Sequence, residues 1–466
     1  MKKHFGFIEG LSGDAYRLLK EYLVTKDRKH IDEAEAIMSG CDPFIDSSQV
    51  NNSLYYGRAG VLLVLMDLYS LSPSQSINYK IRRTLHLILA DARISRNGLH
   101  WYHSQTQRRA ISGWGHGSIG IAYALRVASE FFNSPGLKAA SDLACQHTLL
   151  SWDKKLRTWP NYRLEIETKE DDDKLLNAFR KDPRGVLKGE IDPGIEDGVS
   201  GILLGLKALG KKSQLAIDEG RLSEFHLIGD GFELKNKGKG FQEFYLEKEA
   251  IIIQRILNSH FSRTLAALRK NGGKPTPNFR WPRHGKDVNY ITTPLEKRVL
   301  RSKSAVAADC FKVEKQKLQT IFNHNGDAVS VYCQKYLSFL KNRSLQTLSD
   351  KALLSRKFQL NPNSRIITMK HDVGFGFALK LERDGFEVGS YKMLFAFTDQ
   401  AEVLTETVLV DFEELLYYMK KPTTGKELVR AVVDQYGVDK KKKQVEDEVV
   451  ELILSKVQEN ILIESA

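Results

Sequence analysis

The chain has 466 residues, 42% hydrophobic and 27% charged, which is room for two or three domains with a core each and the balance of an ordinary globular protein. No apolar run reaches membrane-spanning length, and Met1-Lys2-Lys3-His4-Phe5-Gly6 leads into no apolar signal core, so no membrane insertion is expected and the cytoplasm is the default location. Net charge is +12, yet Lys and Arg outnumber Asp and Glu by roughly 15 over residues 231–360 alone, so the basicity sits in the middle of the chain.

Gly13 to Leu23 and His30 to Met38 read as two helices with polar outer faces, a hairpin that opens the chain. Gly57-Arg58-Ala59-Gly60 then runs into Val61-Leu62-Leu63-Val64-Leu65, and Ile77 to Ala90, apolar at 81, 85, 88 and 89, predicts an amphipathic partner helix. The same start returns in Gly117-Ser118-Ile119-Gly120, which follows Ser112-Gly113-Trp114-Gly115-His116, and again in Gly198-Val199-Ser200-Gly201. In all three a β-branched residue follows the second glycine and a Leu stands five positions beyond it, which marks an internal repeat. Glycines let the loop and first turn approach a neighbour closely, and the apolar turn behind them needs other helices to cover it. The repeats predict inner helices stacked around an axis, each with an outer partner, and the G-x-x-G loops gathered at one end.

Glu165 to Arg184 alternates acids and bases, as a solvated segment does, and beyond Gly210 the repeat fades. Phe241 to Lys270 predicts a long helix, and Gly272 to Pro277 breaks it. Arg280-Trp281-Pro282-Arg283-His284-Gly285-Lys286 surrounds an aromatic with bases, which suits a solvated linker or an anionic partner such as tRNA or an acidic peptide. Phe377 to Glu382 alternates with period two, Arg383-Asp384-Gly385 offers a turn and Phe386-Glu387-Val388 returns, so a β-hairpin is expected. Asp411 can cap a helix to Lys420. Thr424-x-x-Glu427 is a capping box for a second, and Val445, Val449, Leu452, Ile453 and Val457 stripe a third before Ile461-Leu462-Ile463 runs extended.

The three G-x-x-G segments, with Cys145-Gln146-His147-Thr148-Leu149-Leu150 and Trp159-Pro160-Asn161, resemble the lanthionine cyclase (LanC-like) family over roughly residues 45–215. Residues 360–466, on Lys420 to Val429 and the last helix, resemble the PqqD-like peptide-recognition domain that binds precursor leaders; DNA-binding winged helices share the pattern. The resemblance implies a mainly α chain: an incomplete α/α-toroid-like set of helical hairpins over residues 1–225, a basic, mostly helical connection over 226–360, and an α+β winged-helix-like domain over 361–466.

Such cyclases hold zinc with two Cys and one His so that a thiolate can attack a dehydrated residue. Here Glu196 and Asp197 occupy the place of a ligand motif, Gly115 precedes His116 without a thiol, and Cys41, Cys145, Cys310 and Cys333 lie too far apart for a C-x-x-C site, so no cofactor is expected and zinc is doubtful. His116 matches the family's acid/base histidine, and the helix N-terminus behind it would favour the neutral imidazole; a purely structural histidine is the other reading. Glu196, Asp197 and His116 could together suit a hard metal, or the two acids could simply complement the helix dipole. Ser53 stands where the family has an acid. Trp114, Tyr56, Trp101 and Tyr102 could line a peptide groove or fill core, and Val449 and Ile453 could face a bound leader.

The implied function is lanthipeptide-type maturation of a ribosomal peptide: a zinc-less cyclase-like partner or scaffold that binds the precursor leader and works with a dehydratase. The enzymatic alternative is thioether formation at His116 without zinc, and the alternative from another class is a tRNA or nucleic-acid binder.

Overall fold

The structure, a computed structural model of the whole chain, describes residues 4–95, 97–102, 111–153, 158–159, 181–182, 194, 196–211, 256, 258–272, 288–324, 345, 348–362, 364–374, 376–398, 403–409, 416, 419–436, 442–459 and 461–465. The chain is mainly helical with small antiparallel sheets, and it divides into two compact units: residues 1–164, 189–259 and 278–291, and residues 165–188, 260–277 and 292–466.

The first unit is a series of helical hairpins. Helix α1 (Leu11–Thr25) packs on α2 (Arg28–Ser39); after the short α3 (Asp42–Asp46), α4 (Arg58–Leu71) packs on α5 (Gln75–Ala90). A small ribbon, β1 (Arg93–Ser95) with β2 (Gly98–His100), precedes α6 (Ser118–Phe132), which packs on α7 (Pro135–Leu150), and α8 (Val199–Ala208) follows. The inner helices touch in chain order, α1 on α4, α4 on α6 and α6 on α8. Being inner explains their composition: α4 is buried on every side from Arg58 to Ser70, whereas α5 buries only one face.

The sequence repeat appears as repeated geometry, and it starts one unit earlier than expected. Gly10-Leu11-Ser12-Gly13 opens α1 as Gly57 to Gly60 opens α4 and Gly117 to Gly120 opens α6. The amide after the first glycine reaches back seven residues each time: Leu11 to His4 O at 2.8 Å, Arg58 to Asn51 O at 3.1 Å and Ser118 to Ile111 O at 2.8 Å. The second glycine faces the carbonyl six residues before it, where a Cβ would lie 2.1 Å from Phe7 O, 2.2 Å from Leu54 O or 2.0 Å from Trp114 O, closer than any side chain tolerates.

The loops are stitched together in order. Phe7 and Ile8 amides donate to Tyr55 O at 2.6 and 3.0 Å, Leu54 and Tyr55 amides donate to Gly115 O at 3.0 Å each, and the Gly115 amide donates to Glu196 O at 2.5 Å. Counted from each second glycine, donors and acceptors fall at equivalent positions, so the loops gather at one end by construction. Arg58 anchors the second of them: its buried guanidinium donates to Ile45 O, Val50 O, Ser47 O and Asn52 Oδ1 and meets Asp91 Oδ2 at 3.3 Å.

The second unit holds α9 (Ser262–Lys270), residues 292–302 of α10 (Val288–Ser302) and α11 (Ala305–His324), where Glu314 accepts the Arg263 and Thr264 amides and the Thr264 hydroxyl and so caps α9 from inside the core. After α12 (Asp350–Leu354) come β3 (Lys357–Leu360), β4 (Arg365–His371), α13 (Phe377–Arg383), β5 (Val388–Thr398), β6 (Val403–Leu409), β7 (Thr423–Thr424), α14 (Gly425–Tyr436), α15 (Lys442–Gln458) and β8 (Leu462–Glu464). One sheet runs β4-β5-β6 and packs on α11; the other runs β7-β3-β8 and shares a core with α12, α14 and α15. The capping box is present: Glu427 Oε2 accepts the Thr424 amide at 2.7 Å and the Glu427 amide donates to Thr424 Oγ1 at 3.2 Å.

Two expectations are corrected. The hairpin at 377–388 is the helix α13, set between left-handed Gly376 (φ 68°) and Asp384 (φ 53°), and it buries none of its residues. Alternation becomes a strand only where a neighbouring strand pairs with its backbone edge and another layer covers its apolar face, and here β4 pairs with residues 388–395 instead. The C-terminal module also begins before 361: Leu345, Leu353, Leu354, Phe358 and Leu360 belong to its core, and β3 is its central strand. Most of Glu165–Arg184 and Phe241–Lys270, all of Arg280–Lys286, and Asp411 with most of its helix lie outside the described residues.

Candidate functional site

The fourth residue before each second glycine is Glu9, Tyr56, His116 and Asp197, and the loop stitching brings these equivalent positions into one arc. At its centre Asp197 grips His116 twice: Oδ1 accepts the His116 backbone amide at 3.1 Å and Oδ2 lies 2.8 Å from Nδ1. The carboxylate fixes Nδ1 as the protonated nitrogen of the neutral ring, so Nε2 is the atom at which this imidazole gains or loses a proton. Tyr56 stacks on the other side, ring centroids 4.9 Å apart and planes 15° from parallel. Glu196 Oε1 lies 3.6 Å from His116 Nδ1 and interacts with the Tyr56 phenol. Partial burial first, then the Glu196 and Glu9 carboxylates, push the Tyr56 phenol above its ordinary value, so it stays a hydrogen-bond donor at neutral pH.

Gly113 makes the grip possible, because a Cβ there would lie 2.5 Å from the Asp197 Cα. The His116 side chain keeps 19% of its exposure and Asp197 23%, a site open at the loop ends. A second clamp of the same chemistry, Asp309 Oδ2 on the Lys370 and His371 amides and 2.8 Å from His371 Nδ1, is more enclosed, with 9% of the His371 side chain exposed. That one ties α11 to β4 and is a packing device.

The other predicted site residues fall elsewhere. Trp114 is 1% exposed beneath the loop, its ring 5.1 Å from Tyr123, and Trp101 is buried with Nε1 donating to Ile88 O, so both are core rather than groove lining. Val449 and Ile453 are 0% exposed in the C-terminal core, because a helix packed against a sheet and two helices spends its apolar stripe there. Ser53 is buried, its hydroxyl accepting the Tyr56 amide. Sequence reasoning passed over Glu9; the signal was Gly10-x-x-Gly13, hidden because Asp14 stands where the other repeats have a β-branched residue.

The donors near His116 do not fit a thiolate zinc centre. They are carboxylates, and Asp197 Oδ2 accepts a hydrogen bond from Nδ1–H at 2.8 Å, which occupies the ring nitrogen on that side. Cys41 and Cys145 are buried free thiols that burial pushes up to about 12 and about 11, and the thiol of buried Cys310 is raised as well, so none offers a ready thiolate; Cys333 lies outside the described residues. Among the described residues no group of three His, Cys, Asp or Glu side chains could hold a metal ion, and no helix is long and apolar enough to cross a membrane.

No family model matches the chain, and no curated protein matches it.

Proposed function

We propose that the chain is a cyclase-like protein of lanthipeptide-type maturation: an incomplete toroid that handles protons with His116 instead of zinc, and a winged-helix-like module that captures the precursor's leader beside a dehydratase. The observation that carries the reading is the double grip of Asp197 on His116, with Tyr56 stacked behind. It favours retained proton chemistry over a bare scaffold, since a carboxylate at Nδ1 sets the tautomer and the orientation that an imidazole needs to act as a general base.

In the proposed step a substrate thiol gives its proton to His116 Nε2, the sulfur adds to the β-carbon of a dehydrated residue, and the imidazolium returns a proton to the α-carbon. Atoms and charge balance without an oxidant or a metal. The test is thiol loss from a dehydrated precursor incubated with the full chain, read by the mass of an alkylated product. Wild type should consume the thiol and His116→Ala should not; equal rates for the two would leave only the scaffold.

A further inference from the structure

The second unit carries a groove of about 1130 Å³ between α12, α14 and the start of α15. Leu354, Val429 and Val433 form its apolar floor. On one wall Lys426 and Arg430, four residues apart on α14, share a face; on the other α15 brings Glu446 and Asp447 beside Lys443, and Asp350 and Lys351 of α12, one of each sign, close the end. Among the described residues Lys426, Arg430, Glu446 and Asp447 make no side-chain ion pair, so the α14 wall is positive and the α15 wall carries two acids to one base.

We propose that this groove binds an amphipathic α-helical peptide, with its apolar stripe on the floor, acids along the α14 wall and bases along the α15 wall. Three features select that occupant. The volume exceeds the roughly 300–1,000 Å³ of small-molecule sites. Helices form all the walls, so an extended peptide would find no strand edge to satisfy its backbone, whereas a helix satisfies its own. Nucleic acid would bring phosphates against Glu446 and Asp447. The inference rests on the leader-capture half of the reading above only for whose peptide it is.

The experiment uses the full chain and a fluorescein-labelled synthetic helix of about 16 residues, long enough to form in water. Its apolar residues are spaced i, i+3, i+4, i+7, with Glu on one flank and Lys on the other. Fluorescence anisotropy should show saturable binding that a central proline weakens by about 10-fold or more. The double variant Lys426→Glu with Arg430→Glu should lose about 10-fold, and a probe with Lys on both flanks should bind that variant better than it binds wild type. Circular dichroism of the double variant guards against misfolding, because these exposed side chains do not enter the core. Equal binding of the proline probe, no rescue by the altered probe, or displacement by duplex DNA would each overturn the proposal. The encoded leader then separates the two ideas. If it binds and the charge variants leave its affinity unchanged, the groove falls and leader capture stands; if the synthetic helix binds as stated and the leader does not, leader capture falls and the groove stands.

Discussion

Among the described residues a carboxylate grips both the backbone amide and Nδ1 of one histidine at His116 and at His371, and the two should respond differently to the same change. Asp309 receives three donors in a closed setting, so Asp309→Asn leaves a buried ring and two amides poorly matched and should cost about 1–3 kcal/mol of stability, read by urea unfolding. Asp197 is more open, and Asp197→Asn should cost about 1 kcal/mol or less while lowering thiol consumption at least 10-fold, because the ring loses its tautomer and orientation. Equal stability losses with no change in rate would make the His116 clamp structural too. Arg58 is the other residue-scale test. Its fork serves acceptors on three sides, which a lysine's single ammonium cannot reach, so Arg58→Lys should destabilise by about 2–4 kcal/mol, close to Arg58→Ala.

For an element, the repeat is a mechanical statement: a loop, a glycine pressed on a carbonyl, and an inner helix handed to the next loop by backbone hydrogen bonds. Gly13 belongs to this series as fully as Gly60 and Gly120, since a Cβ on any of them would sit about 2 Å from a carbonyl oxygen. Gly13→Ala should therefore lower the melting temperature as much as Gly120→Ala, a loss of more than about 2 kcal/mol, whereas Gly40→Ala, whose nearest neighbour would be 3.5 Å away, should be nearly neutral. A mild Gly13→Ala would mean that α1 is a bystander. The C-terminal module gives an element-scale contrast of its own. A fragment starting at 361 lacks β3, the middle strand of its sheet, and should show no cooperative unfolding, while one starting at 292 retains β3, α12 and the α11 that backs the other sheet.

The whole molecule has two units with opposite pH signatures. His147 in the first is buried and burial lowers it to about 4 from 6.5, so its neutral form is stabilised; the contribution is full above pH 6.5 and is lost as pH falls through about 4. Glu314 in the second is buried and raised to about 7 from 4.5, burial outweighing its hydrogen bonds from Thr264 and Arg263; its contribution is full below pH 4.5 and is lost as pH rises through about 7. Between pH 4.5 and 6.5 the two calorimetric transitions should therefore move in opposite directions, and Glu314→Gln should flatten the pH slope of only one. A single transition, or two moving together, would contradict this division of the chain.

Periodicity and turn chemistry, read from the sequence alone, determined the helices: the one expected over Ile77 to Ala90, the capping box at Thr424 and the stripe from Val445 to Val457 all depend on neighbours within a few residues. The three G-x-x-G starts were legible because glycine identity there is demanded locally. Which residues face each other was decided only by the tertiary structure. His116 and Asp197 are 81 positions apart, and Glu9 joined their arc only when backbone hydrogen bonds aligned loops whose sequences differ. The same limit explains the misplaced hairpin and the expected peptide face at Val449 and Ile453. Alternation or a stripe says that one side of a segment is apolar, and only the packing of other elements says whether that side is covered and by what.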